Sequence, residues 1–153
     1  MQAEALVVRL TGAGPELAGP CGPAPWYIEI GADEDPSEVV CRLSTNLMGP
    51  PLLVHSTSWR RDRGTVLLSF VVVIADDQAP EQAGIAIGRA SLARSTPTAA
   101  PAAITAEQVV EHGLRHLSWL AAEDETVRGA LSPGWRQALA QYVPEPFRHL
   151  PAT

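Results

Sequence analysis

The chain has 153 residues, 46% of them hydrophobic and 18% charged, with a formal net charge of −6. That is enough apolar material for one domain with its own core, and it excludes wholesale disorder. The acidic balance argues against a general nucleic-acid binder, which needs a basic face to displace counterions, and no apolar run approaches the ~18 residues of a membrane span.

In chain order, residues 5–10 (Ala-Leu-Val-Val-Arg-Leu) read as a short strand, and the Gly- and Pro-rich residues 11–25 as a loop. Residues 26–30 (Trp-Tyr-Ile-Glu-Ile) alternate and read as a second strand ended by Gly31. A helix is expected over residues 36–48. Asp35 can cap it, Pro36 suits its first position, Glu38 sits where a capping box would close, and Gly49-Pro50-Pro51 stops it. Val39, Val40, Leu43 and Leu47 fall on one side of that helix.

Residues 52–60 and 65–75 form the clearest β feature, a hairpin turning through Arg61-Asp62-Arg63-Gly64. The second strand is nearly all apolar, broken by Ser69, so it should be covered on both faces and central in its sheet. Residues 85–92 read as a further strand, and residues 95–103, with Pro97 and Pro101, as a linker. Thr105 and Gln108 open a long helix with Val109, Val110, Gly113, Leu114, Leu117, Leu120 and Ala121 on its apolar side. Short helical pieces follow through Leu131 and again from Ser132-Pro133. The expected fold class is α+β within a single domain, 1–153: a strand–helix–hairpin part over 1–78, a loop or strand over 79–103, and a C-terminal helical part over 104–153.

One constellation resembles a known family. The Nudix box has the pattern G-x5-E-x7-R-E-U-x-E-E-x-G-U, with U aliphatic, and usually follows a strand bearing a Trp. Here Glu34 is followed by seven residues and then Arg42, Glu38-Val39-Val40 sits where an acid and two apolar residues are expected, Gly49 falls at the closing glycine, and Trp26 precedes. The resemblance, over 34–49, implies an α/β/α sandwich, a mixed sheet with helices on its faces and additional C-terminal helices. It departs from the family at the chemistry. The glutamates that hold Mg²⁺ after the Arg are replaced by Leu43, Asn46 and Leu47, and a hard cation needs such oxygens to support diphosphate hydrolysis.

The remaining residues bound the chemistry further. Every Lys-or-Arg position is Arg, which excludes a Schiff-base or Walker lysine and is the composition expected of a GC-rich bacterial genome. Cys21 and Cys41 lie outside any CxxC pair; Cys41 is expected to be a small buried hydrophobe. Trp59 could stack a ring while Arg60 and Arg61 bind phosphate. His112 and His116 stand at i,i+4, a spacing that can serve one metal, with His55 or His149 needed through the fold as a third ligand. The expectation instead is a solvated face of Glu111, His112, Arg115 and His116, and a Glu38–Arg42 surface pair.

The sequence therefore predicts a cytoplasmic Nudix-like scaffold without catalytic residues, metal or cofactor. It would act by binding a small ligand, by pairing into a homodimer, or by holding a protein partner, with no membrane contact. The candidate pocket is Trp26, Glu34, Glu38, Arg42, His55, Trp59 and Arg60; the candidate interface is Trp119, Trp135 and Tyr142. The alternative is a divergent Mg²⁺-dependent hydrolase of a nucleoside diphosphate derivative, with ligands from Glu29, Glu34, Glu38 or Asp76-Asp77.

Overall fold

A computed structural model describes residues 1–75, 84–87 and 105–142. Its elements are β1 (Gln2–Thr11), β2 (Gly14–Leu17), β3 (Trp26–Glu29), α1 (Pro36–Met48), β4 (Leu53–Asp62), β5 (Thr65–Val73), β6 (Ile85–Ala86), α2 (Ala106–Glu123), α3 (Glu125–Ala130) and α4 (Pro133–Leu139). The fold is α+β. Six strands form one mixed sheet in the order β4-β5-β1-β2-β6, with β3 also paired to β1.

The two strands buried on both faces organise the sheet. β1 and β5 run parallel, from Gln2 opposite Leu67 to Val8 opposite Val73. Opposite β5, the first half of β1 pairs antiparallel with β3 and the second half with β2. β5 is central, as its continuous apolar sequence predicts, and β4 hydrogen-bonds along its other side.

Because side chains alternate along strands, the sheet has two apolar faces. Ala3, Ala5, Val7, Ile28, Phe70, Val72 and Ile74 face α1, which contributes Val39 and Val40. Leu6, Val8, Leu17, Val71 and Val73 face the C-terminal helices, which contribute Val109, Val110, Leu114, Leu117, Leu131, Trp135 and Leu139. α2 comes closest at Gly113, where a Cβ would lie 2.6 Å from Val71 Cγ2 and 2.9 Å from Thr57 Cγ2.

Local signals set the helix ends. Asp35 accepts from the N–H groups of Ser37 and Glu38 at 2.8 and 3.1 Å, and Gly49 ends α1 at φ 86°. Thr105 and Gln108 form the expected capping box on α2. Asp124 and Ser132 cap α3 and α4.

Several expectations need correction. Residues 11–25 contain β2: Pro15 lacks a donor but its carbonyl accepts from Ile87 N–H at 3.0 Å, so a Pro-containing segment still serves the ladder. The hairpin turn is tighter than expected. Arg61 and Asp62 pair with Val66 and Thr65, leaving Arg63 (φ 46°) and Gly64 (φ 85°) as a two-residue turn. Cys41 is exposed, as is Cys21, and both are free thiols. The strand expected over residues 85–92 is seen as Ile85–Ala86, with 88–92 outside the described residues. Asp76-Asp77, the linker over 95–103 and His149 also lie outside them.

Candidate functional site

The residues singled out from the sequence do not form one pocket; the sheet divides them. The division is set by an irregularity in β4. His55 pairs with Val71 and Ser56 with Phe70, but the next pair is Ser58 with Ser69, so Thr57 is an extra residue in the strand. A β-bulge of this kind shifts the inward–outward alternation by one. His55, Thr57, Ser58 and Arg60 consequently belong to the α2 side, and Ser56, Trp59 and Arg61 to the α1 side.

On the α1 side, Trp26 is half-buried against the core and Trp59 is 67% exposed. The motif residues Glu34 and Arg42 meet each other: Arg42 Nη2 donates to Glu34 Oε1 at 3.2 Å, and Gly31 N–H donates to Glu34 Oε2 at 3.0 Å. The expected Glu38–Arg42 pair is thus replaced by a Glu34–Arg42 clasp from the preceding loop to the helix, while Glu38 is exposed in the first turn. Of the residues at the family's chelating positions, Leu43 is half-buried, Asn46 is exposed and Leu47 is 60% exposed.

On the α2 side, Arg60 donates to both carboxylate oxygens of Glu4, to Oε2 at 2.7 Å, and to Ser69 Oγ at 3.2 Å; Ser69 Oγ donates to Glu4 Oε1 at 2.5 Å. Glu4 and Ser69 are buried. A buried carboxylate requires a cation and hydrogen-bond donors, and this pair supplies both. The Glu4 hydrogen bond raises the Arg60 pKa further above its ordinary value. Arg60 is therefore committed to Glu4 and lies on the opposite side of the strand from Trp59, so the expected Trp59–Arg60 pairing does not form.

Further along the same side, His55 Nε2 stands 2.7 Å from His116 Nδ1, and the His116 ring stacks on Trp119 with centroids 5.7 Å apart. Burial, then the fields of His116 and His112, push His55 down to about 4. Burial, then His112, lowers His116. Both rings are neutral at pH 7. The expected solvated face is thus corrected: His116 and Glu111 are buried, because this flank of α2 is covered rather than turned to solvent. Glu111 Oε1 accepts from Arg115 at 2.8 Å, and its Oε2 is buried without a hydrogen bond.

The expected C-terminal interface also changes. Trp135 is fully buried, and its Nε1 donates to Ile74 O at 3.3 Å, so it is core. Trp119 and Tyr142 are half-buried. Tyr142 lines a cleft of about 440 Å³ between the β1–β2 turn and α4.

Sequence reasoning missed Glu4, Thr57 and Ser69 as a group. Glu4 had a signal, its i, i+2, i+4 spacing with the inward Leu6 and Val8, but it lay just outside the expected strand. Among the described residues, no three His, Cys, Asp or Glu side chains are already arranged to hold a metal ion, and no helix is long and apolar enough to cross a membrane. No family model, no curated protein and no solved structure matches the chain.

Proposed function

We propose that the chain is a non-catalytic Nudix-like domain that acts by binding. The observation that carries this reading is the division within the motif-like segment. Glu34 and Arg42 are present and hold the loop to the helix, while the positions after the arginine that would hold Mg²⁺ are Leu43, Asn46 and Leu47. A segment with the clasp but without the chelate keeps the architecture and loses the means to neutralise a diphosphate. The mixed sheet, with α1 on one face and further helices on the other, is compatible with such a sandwich.

Binding would use the α1 side of β4. Trp59 there offers an exposed ring, and Arg61, on the same side, offers a cation that has no ion pair among the described residues. Aromatic plus guanidinium is the chemistry that recognises a planar anionic ligand such as a nucleotide.

The test pairs a hydrolysis assay with a thermal-shift screen over nucleoside diphosphate derivatives, with and without Mg²⁺ or Mn²⁺. The expected result is no metal-dependent turnover, and a shift with at least one nucleotide that Trp59→Ala abolishes. A ligand at 100 Kd adds about 2.7 kcal/mol, which a melting curve resolves. Metal-dependent turnover would overturn the non-catalytic reading, and the absence of any shift would overturn the nucleotide assignment.

A further inference from the structure

We propose that His55 and His116, with His112 as the third ligand, form a site for a borderline transition-metal dication such as Zn²⁺, Ni²⁺ or Cu²⁺. Imidazole is the ligand type these ions share; two imidazoles from two elements face each other here, and His112 lies near enough for its field to reach both. His55 Nε2 and His116 Nδ1 face each other at 2.7 Å. Two nitrogens on one tetrahedral ion stand ~3.3 Å apart, given metal–nitrogen bonds of about 2.0–2.1 Å. The rings must therefore part by about 0.6 Å to admit an ion between them.

The fold permits that movement. His55 rides on β4, which among the described residues pairs only with β5, so the strand has room to move outward on its other side. His112 stands one turn before His116 on α2, a spacing that puts both side chains on one flank of the helix. The three groups are not yet arranged as a coordination sphere, so uptake starts at the facing pair and His112 completes it by rotating in. Neutral imidazoles are the binding form; burial holds His55 neutral down to about pH 4 and lowers His116 in the same direction. On loading, the ring that donates in the bridge takes its other tautomer, giving up the bridging proton to solvent and gaining one at its remote nitrogen, so that both rings stay neutral and each facing nitrogen presents its lone pair to the ion.

The experiment uses the full chain carrying Cys21→Ser and Cys41→Ser, since both exposed thiols could bind the same ions. Titration with Zn²⁺ should give one equivalent per chain. Ni²⁺ or Cu²⁺ should quench part of the tryptophan emission, and that part should vanish in Trp119→Phe, because Trp119 stacks on His116. His55→Gln and His116→Gln should each weaken binding by at least about tenfold, and His112→Gln by less. No uptake by the folded chain, or uptake undiminished in His55→Gln, overturns the proposal. If either His→Gln variant fails to fold, imidazole ¹⁵N shifts decide. They should move for His55 and His116 as Zn²⁺ is added, and shifts that stay fixed while zinc binds overturn it equally.

Discussion

The two faces of the sheet are built on different rules. Among the described residues, the α1 face is covered by one helix over mostly small and medium side chains, Ala3, Ala5, Val7 and Val72, set around the large ring of Phe70. Its charges, Glu34, Glu38 and Arg42, stay at the surface. The α2 face is covered by three helices and holds more of the large buried residues, Leu6, Leu114, Leu117, Leu139 and Trp135. It also holds the buried polar groups Glu4, Thr57, Ser69, Glu111 and His116. The comparison teaches that a sequence motif and buried chemistry need not coincide. The segment resembling a known motif lies on the simpler face, and the residues with unusual electrostatics lie on the other.

Substitutions should separate the faces, beginning with the buried ion pair. Arg60→Ala leaves the buried Glu4 carboxyl without its cation, and should cost about 3–5 kcal/mol of unfolding free energy in urea. The double change Glu4→Leu with Arg60→Met should recover much of that loss, because both buried charges go together. A double variant no more stable than Arg60→Ala would mean that local packing rather than charge sets the cost.

Gly113→Val comes next. Its branched side chain would meet Val71 and Thr57 at distances where α2 must lift from the sheet, and overpacking of this kind costs about 1–3 kcal/mol. A thermal melt checks it.

The histidine pair predicts a pH dependence confined to the α2 face. His55 is lowered from 6.5 to about 4 in the folded chain, so between those values the unfolded state binds more protons. Stability is fully present above pH 6.5 and declines as pH falls toward 4. The urea midpoint should be lower at pH 5 than at pH 7, and His55→Gln should flatten that difference. An unchanged slope in the variant would show that other groups govern the acid limb.

The smallest effect is expected on the α1 face. Glu34 and Arg42 are 46% and 60% exposed, and such surface pairs contribute about 0–1 kcal/mol. Arg42→Ala should therefore shift the midpoint barely beyond error. A loss rivalling that of Arg60→Ala would erase the distinction between the faces.

Legibility followed the range of the interactions. α1 could be read from Asp35-Pro36 at one end and Gly49 at the other, because caps and breakers act within a few residues. β5 could be read from its apolar run, and α2 from Thr105 and Gln108. β2 could not, since Gly14 and Pro15 give the local signal of a loop and only pairing with β1 and β6 makes them a strand. The i,i+4 spacing of His112 and His116 was visible, but the approach of His55 depends on β4 reaching α2 across 61 residues of sequence. Trp135 looked like an interface residue because nothing local reveals that Ile74 offers it a carbonyl. The extra residue in β4 left no signature in Ser-Thr-Ser, so the separation of Trp59 from Arg60 was hidden with it.

That extra residue also bears on how the chain behaves in a crowded solution. β4 ends the sheet among the described residues, and a long regular edge is a template on which other chains add strands. Thr57 interrupts the ladder near the middle of β4. Beyond it the outer run carries Arg60, Arg61 and Asp62. A broken, charged edge gives an incoming strand no uninterrupted register, so the irregularity that sorts side chains between the faces also makes this edge a poor template for strand addition.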